Sequence, residues 1–175
     1  MERTGSQIGG RLVSSATPVL LAFLGAAIAN LPITLTGNHV PAPLLGLMPV
    51  YFWSLLRPDL MTPARAVLIG LTEDVLAPGA PGVWALSFVA MYAFVERERE
   101  VLAGLTGLPA LMGFASASFI TCSTAYLTEC FLNLRMLPIV PTVAELAITI
   151  VLFAPIASFL SLVHRRVVGP LRSDF

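Results

Sequence analysis

The lengths of the apolar segments constrain the fold of this chain more than any other feature. Six such segments follow one another, over residues 16–35, 40–56, 63–76, 83–95, 108–132 and 143–163. The first, fifth and sixth reach the roughly 20 residues that a helix needs to cross a bilayer. Only 11% of the residues are charged, against about 25% in soluble domains. The sequence therefore predicts an all-α integral membrane protein, a six-helix transmembrane bundle.

The third and fourth segments are shorter than a full membrane span. A helix over 63–76 rises only about 21 Å, whereas the hydrocarbon core is about 30 Å thick. The two segments are joined by Ala-Pro-Gly-Ala-Pro-Gly at 77–82. They form either two short spans shielded by neighbouring helices or a re-entrant hairpin, whose irregular backbone must be buried in protein or reach water. The sequence favours two short spans.

The arginines predict the orientation of the bundle. The chain has no lysine, and six crossings from a cytoplasmic N-terminus place nine of its ten arginines inside and only Arg135 outside. This is the distribution expected of cytoplasmic flanks. We therefore expect a cytoplasmic segment 1–15, a six-helix domain 16–164 and a cytoplasmic tail 165–175. The net charge of zero gives no reason to expect nucleic acid as a partner.

Two adjacent acids, Glu73 and Asp74, end the third apolar segment. Acids in such a place are costly unless they have partners or reach water. Because Ala66, Gly70, Asp74 and Ala77 share one helical face, Asp74 is the acid that we expect to face another helix. It either satisfies backbone amides in the loop that follows or takes part directly in binding a partner or substrate.

Small side chains recur at helical spacing in two other segments. Such stripes allow transmembrane helices to approach closely, so we expect them to dock a partner helix or to pack inside the bundle. The residues are Gly113, Ala117, Thr121 and Ala125 in the fifth segment, and Ala22 and Ala26 in the first.

Two other features have simpler interpretations. Tyr51 and Trp53 fit anchoring at the membrane interface, which is common for aromatic residues near the ends of spans. The run Glu-Arg-Glu-Arg-Glu at 96–100 fits a solvated cytoplasmic loop. For the charged run, contact with a partner is the alternative interpretation.

Signatures of enzymes are missing from the sequence. It contains no His-Glu-x-x-His metal helix, no glycine-rich phosphate loop and no nucleophile elbow. The serines of the apolar segments have no histidine or lysine nearby in the sequence to activate them, and Cys122 and Cys130 fit packing. We therefore expect a protein that is not an enzyme and that needs no cofactor or metal.

Residues 43–100 resemble a known family. The elements that carry the resemblance are Tyr51-x-Trp53, Arg57-Pro58, Gly70-Leu-x-x-Asp74 and Gly82-x-x-Ala-Leu86. In this order and spacing they resemble the bacterial rod shape-determining MreD family. The resemblance implies roles in partner binding or structure for Trp53, Arg57, Pro58, Gly70, Asp74 and Gly82, to which the small-residue stripe adds Gly113 and Ala117.

The resemblance also implies a function and a fold. The protein would be a non-enzymatic scaffold of the lateral cell-wall elongation complex in the bacterial inner membrane, and it would maintain rod shape. It would bind the bitopic protein MreC and, indirectly, organise MreB filaments, the glycosyltransferase RodA and its transpeptidase. Its fold would be similar to the S-component of energy-coupling transporters.

That similarity of fold supplies the alternative function. A substrate-binding S-component of a vitamin transporter has the same size and helix count, and it needs polar and aromatic side chains that converge on a pocket. The predicted outer loops offer few of them, namely Thr36, Asn38, His39, Asn133 and Arg135. Since fold alone does not determine function, the sequence favours the scaffold.

Overall fold

The computed structural model describes residues 2–31 and 41–168, with side chains from Ser15 onward. These residues form six α-helices and no strand, followed by a short π-helical turn. The helices are α1 Glu2–Ala29, α2 Leu47–Leu56, α3 Pro63–Leu76, α4 Val83–Ala103, α5 Leu108–Asn133 and α6 Val140–Val163, and the π-helical turn is His164–Val168. The predicted all-helical class is confirmed for the described part of the chain.

Proline and glycine fix several of the helix ends. Proline lies in the first turn of α3, α5 and α6. A backbone N–H in the first turn has no acceptor within the helix, so proline, which lacks this N–H, is tolerated there. Gly82 precedes α4 with a φ of +93°, a conformation that residues with a side chain rarely adopt. The segment 77–82 therefore turns the chain back, and α3 and α4 pack against each other.

The predicted segments agree closely with α3, α5 and α6 but miss the extent of the other three helices. Helix α3 covers the predicted 63–76, and α5 and α6 end within a residue of prediction. Helix α1, predicted over 16–35, covers Glu2–Ala29, and α2, predicted over 40–56, begins only at Leu47. Helix α4 continues through 96–100 to Ala103. The expectation of a loop at 96–100 was wrong. Glutamate, arginine, leucine and alanine all have high helix propensity, so a charged run need not end a helix.

The short helix α2 lies at the centre of the core, in contact with α1, α4, α5 and α6. Phe114 and Phe153 stack with ring centroids 3.7 Å apart, and Tyr51 meets both edge-on at 5.2 and 5.8 Å. Tyr51 is 3% exposed and Trp53 is fully buried. The expectation that these two residues anchor the protein at the membrane interface was therefore wrong, because α2 is enclosed by other helices.

The outer surface of the bundle is rich in large apolar side chains. Such side chains are exposed on α1, α3, α4, α5 and α6, for example Leu20, Val75, Leu86, Phe131 and Val151. Two helical stretches, Leu108–Asn133 and Val140–Val168, are long and apolar enough to cross a membrane. The described residues thus include two candidate membrane spans, by length and composition.

Candidate functional site at the joint between α3 and α4

Gly70 is the point of closest approach between α3 and α4. A Cβ atom placed on Gly70 would lie 2.7 Å from the Cα of Ala85 and 2.8 Å from the carbonyl oxygen of Trp84. Both of these atoms belong to the main chain of α4, so no rotation of a side chain would make room. Glycine at this position is therefore a requirement of the contact between the two helices.

Asp74, one turn after Gly70, caps the N-terminus of α4. Its Oδ1 accepts a hydrogen bond of 2.8 Å from the Trp84 N–H, and its Oδ2 accepts one of 3.1 Å from the Ala85 N–H. Gly82, the residue before α4, provides no side-chain cap. A carboxylate at this place satisfies amides that have no helical partner and interacts favourably with the helix dipole. This geometry agrees with the interpretation that Asp74 satisfies backbone amides. These amides lie in the first turn of α4, however, and not in the loop before it.

Glu73, and not Asp74, is the more deeply buried of the two acids. Its side chain is 2% exposed, and its Oε2 accepts a hydrogen bond of 2.6 Å from the Asn30 Nδ2 at the end of α1. Asp74 is only partly buried. Sequence reasoning did not select Glu73, although Ala66, Ile69 and Glu73 follow one another at a spacing of three and four residues and are all buried.

The motif residues of α2 and the following turn have structural partners. Arg57 donates two hydrogen bonds to Asp59, from Nε at 2.9 Å and from Nη2 at 2.8 Å. The hydrogen bond from Arg57 lowers the pKa of Asp59 below its ordinary value, so the pair is charged at neutral pH. This pair bridges Pro58, in the turn between α2 and α3. Trp53 is fully buried, and its Nε1 has no hydrogen-bond partner among the described residues.

The small-residue stripe of α5 lies inside the bundle. Ala117 and Thr121 are fully buried, and a Cβ on Gly113 would lie 2.8 Å from the Leu102 Cδ2 and 3.0 Å from the Tyr51 hydroxyl. Ala22 and Ala26 of α1 are fully buried as well. The expectation that these small residues dock a partner helix was wrong, because the protein's own helices cover them. Packing within the bundle, the alternative interpretation, is what the structure shows.

A shallow groove lies on the outer face of α5. It has a volume of about 410 Å³ and is lined by Met112, Ala115, Ser116, Phe119 and Ile120. It carries few polar groups. Thr36, Asn38 and His39, expected in an outer loop, lie outside the described residues. Within the described residues, no group of three or more histidine, cysteine, aspartate or glutamate side chains could hold a metal ion.

Comparisons with known proteins give no relative of this chain. No protein-family model, curated protein or solved structure matches it. A functional proposal therefore depends on the residues of the chain and on their geometry.

Proposed function

We propose that this protein is a non-enzymatic membrane scaffold of the MreD kind in the bacterial lateral wall-elongation complex, where it binds an MreC-type bitopic protein. MreB filaments, RodA and its transpeptidase are indirect partners. The protein crosses the inner membrane six times with both termini in the cytoplasm. This proposal rests on the resemblance of the motif residues and on two observations about the bundle.

The observation that carries the proposal is the convergence of the motif on one joint. Gly70, Asp74 and Gly82 are separated in the sequence, yet each contributes to the junction of α3 with α4: the first by close contact, the second by capping and the third by its φ angle. Their shared role supports treating them as one motif rather than as chance matches. A joint of this kind holds helices in place, which is what a scaffold requires.

The apolar surface supports a location in the membrane. Soluble monomers rarely expose apolar patches larger than a few hundred Å², whereas here large apolar side chains are exposed on five helices. Because the small-residue stripes are covered, an MreC-type helix would contact these exposed faces instead. Surfaces that face lipid and surfaces that face a partner helix share this composition, since lipid tails are as apolar as leucine.

The proposed orientation gives a prediction for labelling of cysteines in intact cells. In a chain whose Cys122 and Cys130 are replaced by serine, we expect a membrane-impermeant thiol reagent to modify Met136→Cys, in the loop between α5 and α6. The matched variant Glu100→Cys, near the end of α4, should react only after the cells are opened. Both positions are exposed. The opposite pattern would exclude the proposed orientation, because the arginine-rich flanks would then lie outside.

Capture of the partner tests the function itself. We expect the tagged protein to co-purify with an MreC-type protein from detergent, without crosslinking, and to leave behind an unrelated bitopic protein expressed at the same level. Co-purification with an energy-coupling ATPase module instead would favour the vitamin-transporter alternative. Equal recovery of the MreC-type protein and of the unrelated protein would contradict the scaffold proposal.

A further inference from the structure

The buried carboxyl of Glu73 is only half satisfied. One oxygen, Oε2, accepts the hydrogen bond from Asn30, whereas Oε1 is buried and has no hydrogen-bond partner among the described residues. An ionised carboxylate that is removed from water needs several donors or a cation to offset the loss of hydration. A single amide donor on one of the two oxygens does not provide this.

The turn before α2 comes close to Oε1. A Cβ on Gly46, the residue before α2, would lie 2.9 Å from Oε1 and 3.2 Å from the Cβ of Ala26. The same turn is tied to α6, because the Leu44 N–H donates a hydrogen bond of 3.0 Å to the Thr149 Oγ1. The carboxyl of Glu73 therefore lies between α1, α3 and the turn before α2, and α6 holds that turn through Thr149. We call this place the Glu73 junction.

Among the described residues, the charged groups that act on the Glu73 junction are acidic. Glu145, one turn before Thr149 on α6, interacts electrostatically with Glu73 and with Glu129 of α5. Asp74 acts on Glu73 from its own helix. The ion pairs of the described residues join Arg57 to Asp59 and Arg97 to Glu98, so none of them involves these carboxyls. Like charges in a dry interior repel strongly, and the usual result is that one group stays neutral.

We propose that the Glu73 junction is a proton-binding site, in which Glu73 is a neutral carboxylic acid at neutral pH and Glu145 is the second carboxyl that competes for the proton. A proton needs only one oxygen atom to bond to, and Oε1 is buried without a hydrogen-bond partner among the described residues. A metal ion requires several converging ligands, and no such group occurs in the described residues. The inference depends on the packing of the bundle and not on the proposed scaffold function.

Infrared spectroscopy of the purified protein at neutral pH tests this assignment. The carbonyl stretch of a protonated carboxyl lies apart from the bands of a carboxylate, so one buried acid can be observed. We expect such a band in the unmodified chain and its loss in Glu73→Gln, which has the shape of the neutral acid. Glu145→Gln should shift the band by removing the competing carboxyl, and the matched control Glu100→Gln, at an exposed position, should leave it unchanged.

Any of four other outcomes of these experiments would overturn the proposal. Absence of the band in the unmodified chain would mean that Glu73 is ionised. Loss of the band in Glu145→Gln, with retention in Glu73→Gln, would place the proton on Glu145 of α6 instead of on Glu73. Disappearance of the band on addition of sodium or calcium would indicate a cation site instead. A Glu73→Gln chain that fails to fold would also contradict the proposal, because the amide replaces a neutral acid without a change of charge.

Discussion

Gly70→Ala is expected to lower the stability of the protein by about 3 kcal/mol, at the upper end of the usual cost of overpacking. The added methyl group would meet the main chain of Trp84 and Ala85 at less than 3 Å. Relief would require that α3 and α4 move apart, and the capping bonds of Asp74 would then lengthen. We expect a lower midpoint of thermal unfolding in detergent, followed by tryptophan fluorescence, to which Trp84 at this contact contributes.

Gly104→Ala is the matched control for this substitution. Gly104 follows α4 in a helical conformation, and a Cβ there would lie 3.8 Å from the carbonyl oxygen of Val101, an ordinary contact. Alanine has a higher helix propensity than glycine by about 1 kcal/mol, so this variant should be as stable as the original chain or slightly more so. Equal unfolding midpoints for Gly70→Ala and Gly104→Ala would show that the close approach of α3 and α4 does not exist.

Asp74→Ala is expected to cost about 1–3 kcal/mol, because it leaves two amides of the first turn of α4 without their acceptor. Asp74→Asn retains one oxygen acceptor and should fall between the original chain and the alanine variant. Thermal unfolding in detergent measures both variants, and the amount of each protein in the membrane provides a second, independent measure.

Glu100→Ala is the control for Asp74→Ala. It removes an exposed carboxylate near the C-terminal end of α4, the helix that Asp74 caps. A substitution at such a surface position changes stability by about 0.5 kcal/mol or less. If Asp74→Ala and Glu100→Ala unfold at the same temperature, Asp74 is solvated and does not cap α4. The order of stability that we expect is Glu100→Ala above Asp74→Asn, and Asp74→Asn above Asp74→Ala.

Much of the helical layout could be predicted from the sequence because it depends on local signals. Pro63 at the start of α3, and Gly82 before α4, mark boundaries by their own backbone preferences. The small residues Gly113 and Ala117 correctly indicated close packing. Their packing partner could not be predicted, since a stripe that fits another protein's helix fits a neighbouring helix of the same chain equally well.

The distinction between Glu73 and Asp74 could not be obtained from periodicity. Adjacent residues of a helix diverge by about 100°, and α3 has two covered sides, one toward α1 and one toward α4. The face of Ala66, Gly70 and Asp74 was recognised, but which helix meets it depends on the tertiary arrangement. The partner of Glu73, Asn30 on α1, lies 43 positions away in the sequence, and no local pattern connects the two.

The glycine contacts also limit how far a sequence can change while keeping this fold. At Gly25 and Gly70 the nearest opposing atoms belong to the main chain, 2.7 Å from the place that an added methyl group would take. Every sequence with this arrangement of helices has the same main chain at these two places. Apolar side chains on the outer surface can be exchanged for one another with little cost. Distant relatives of the chain should therefore be recognised by the spacing of these glycines and of Asp74 rather than by overall similarity.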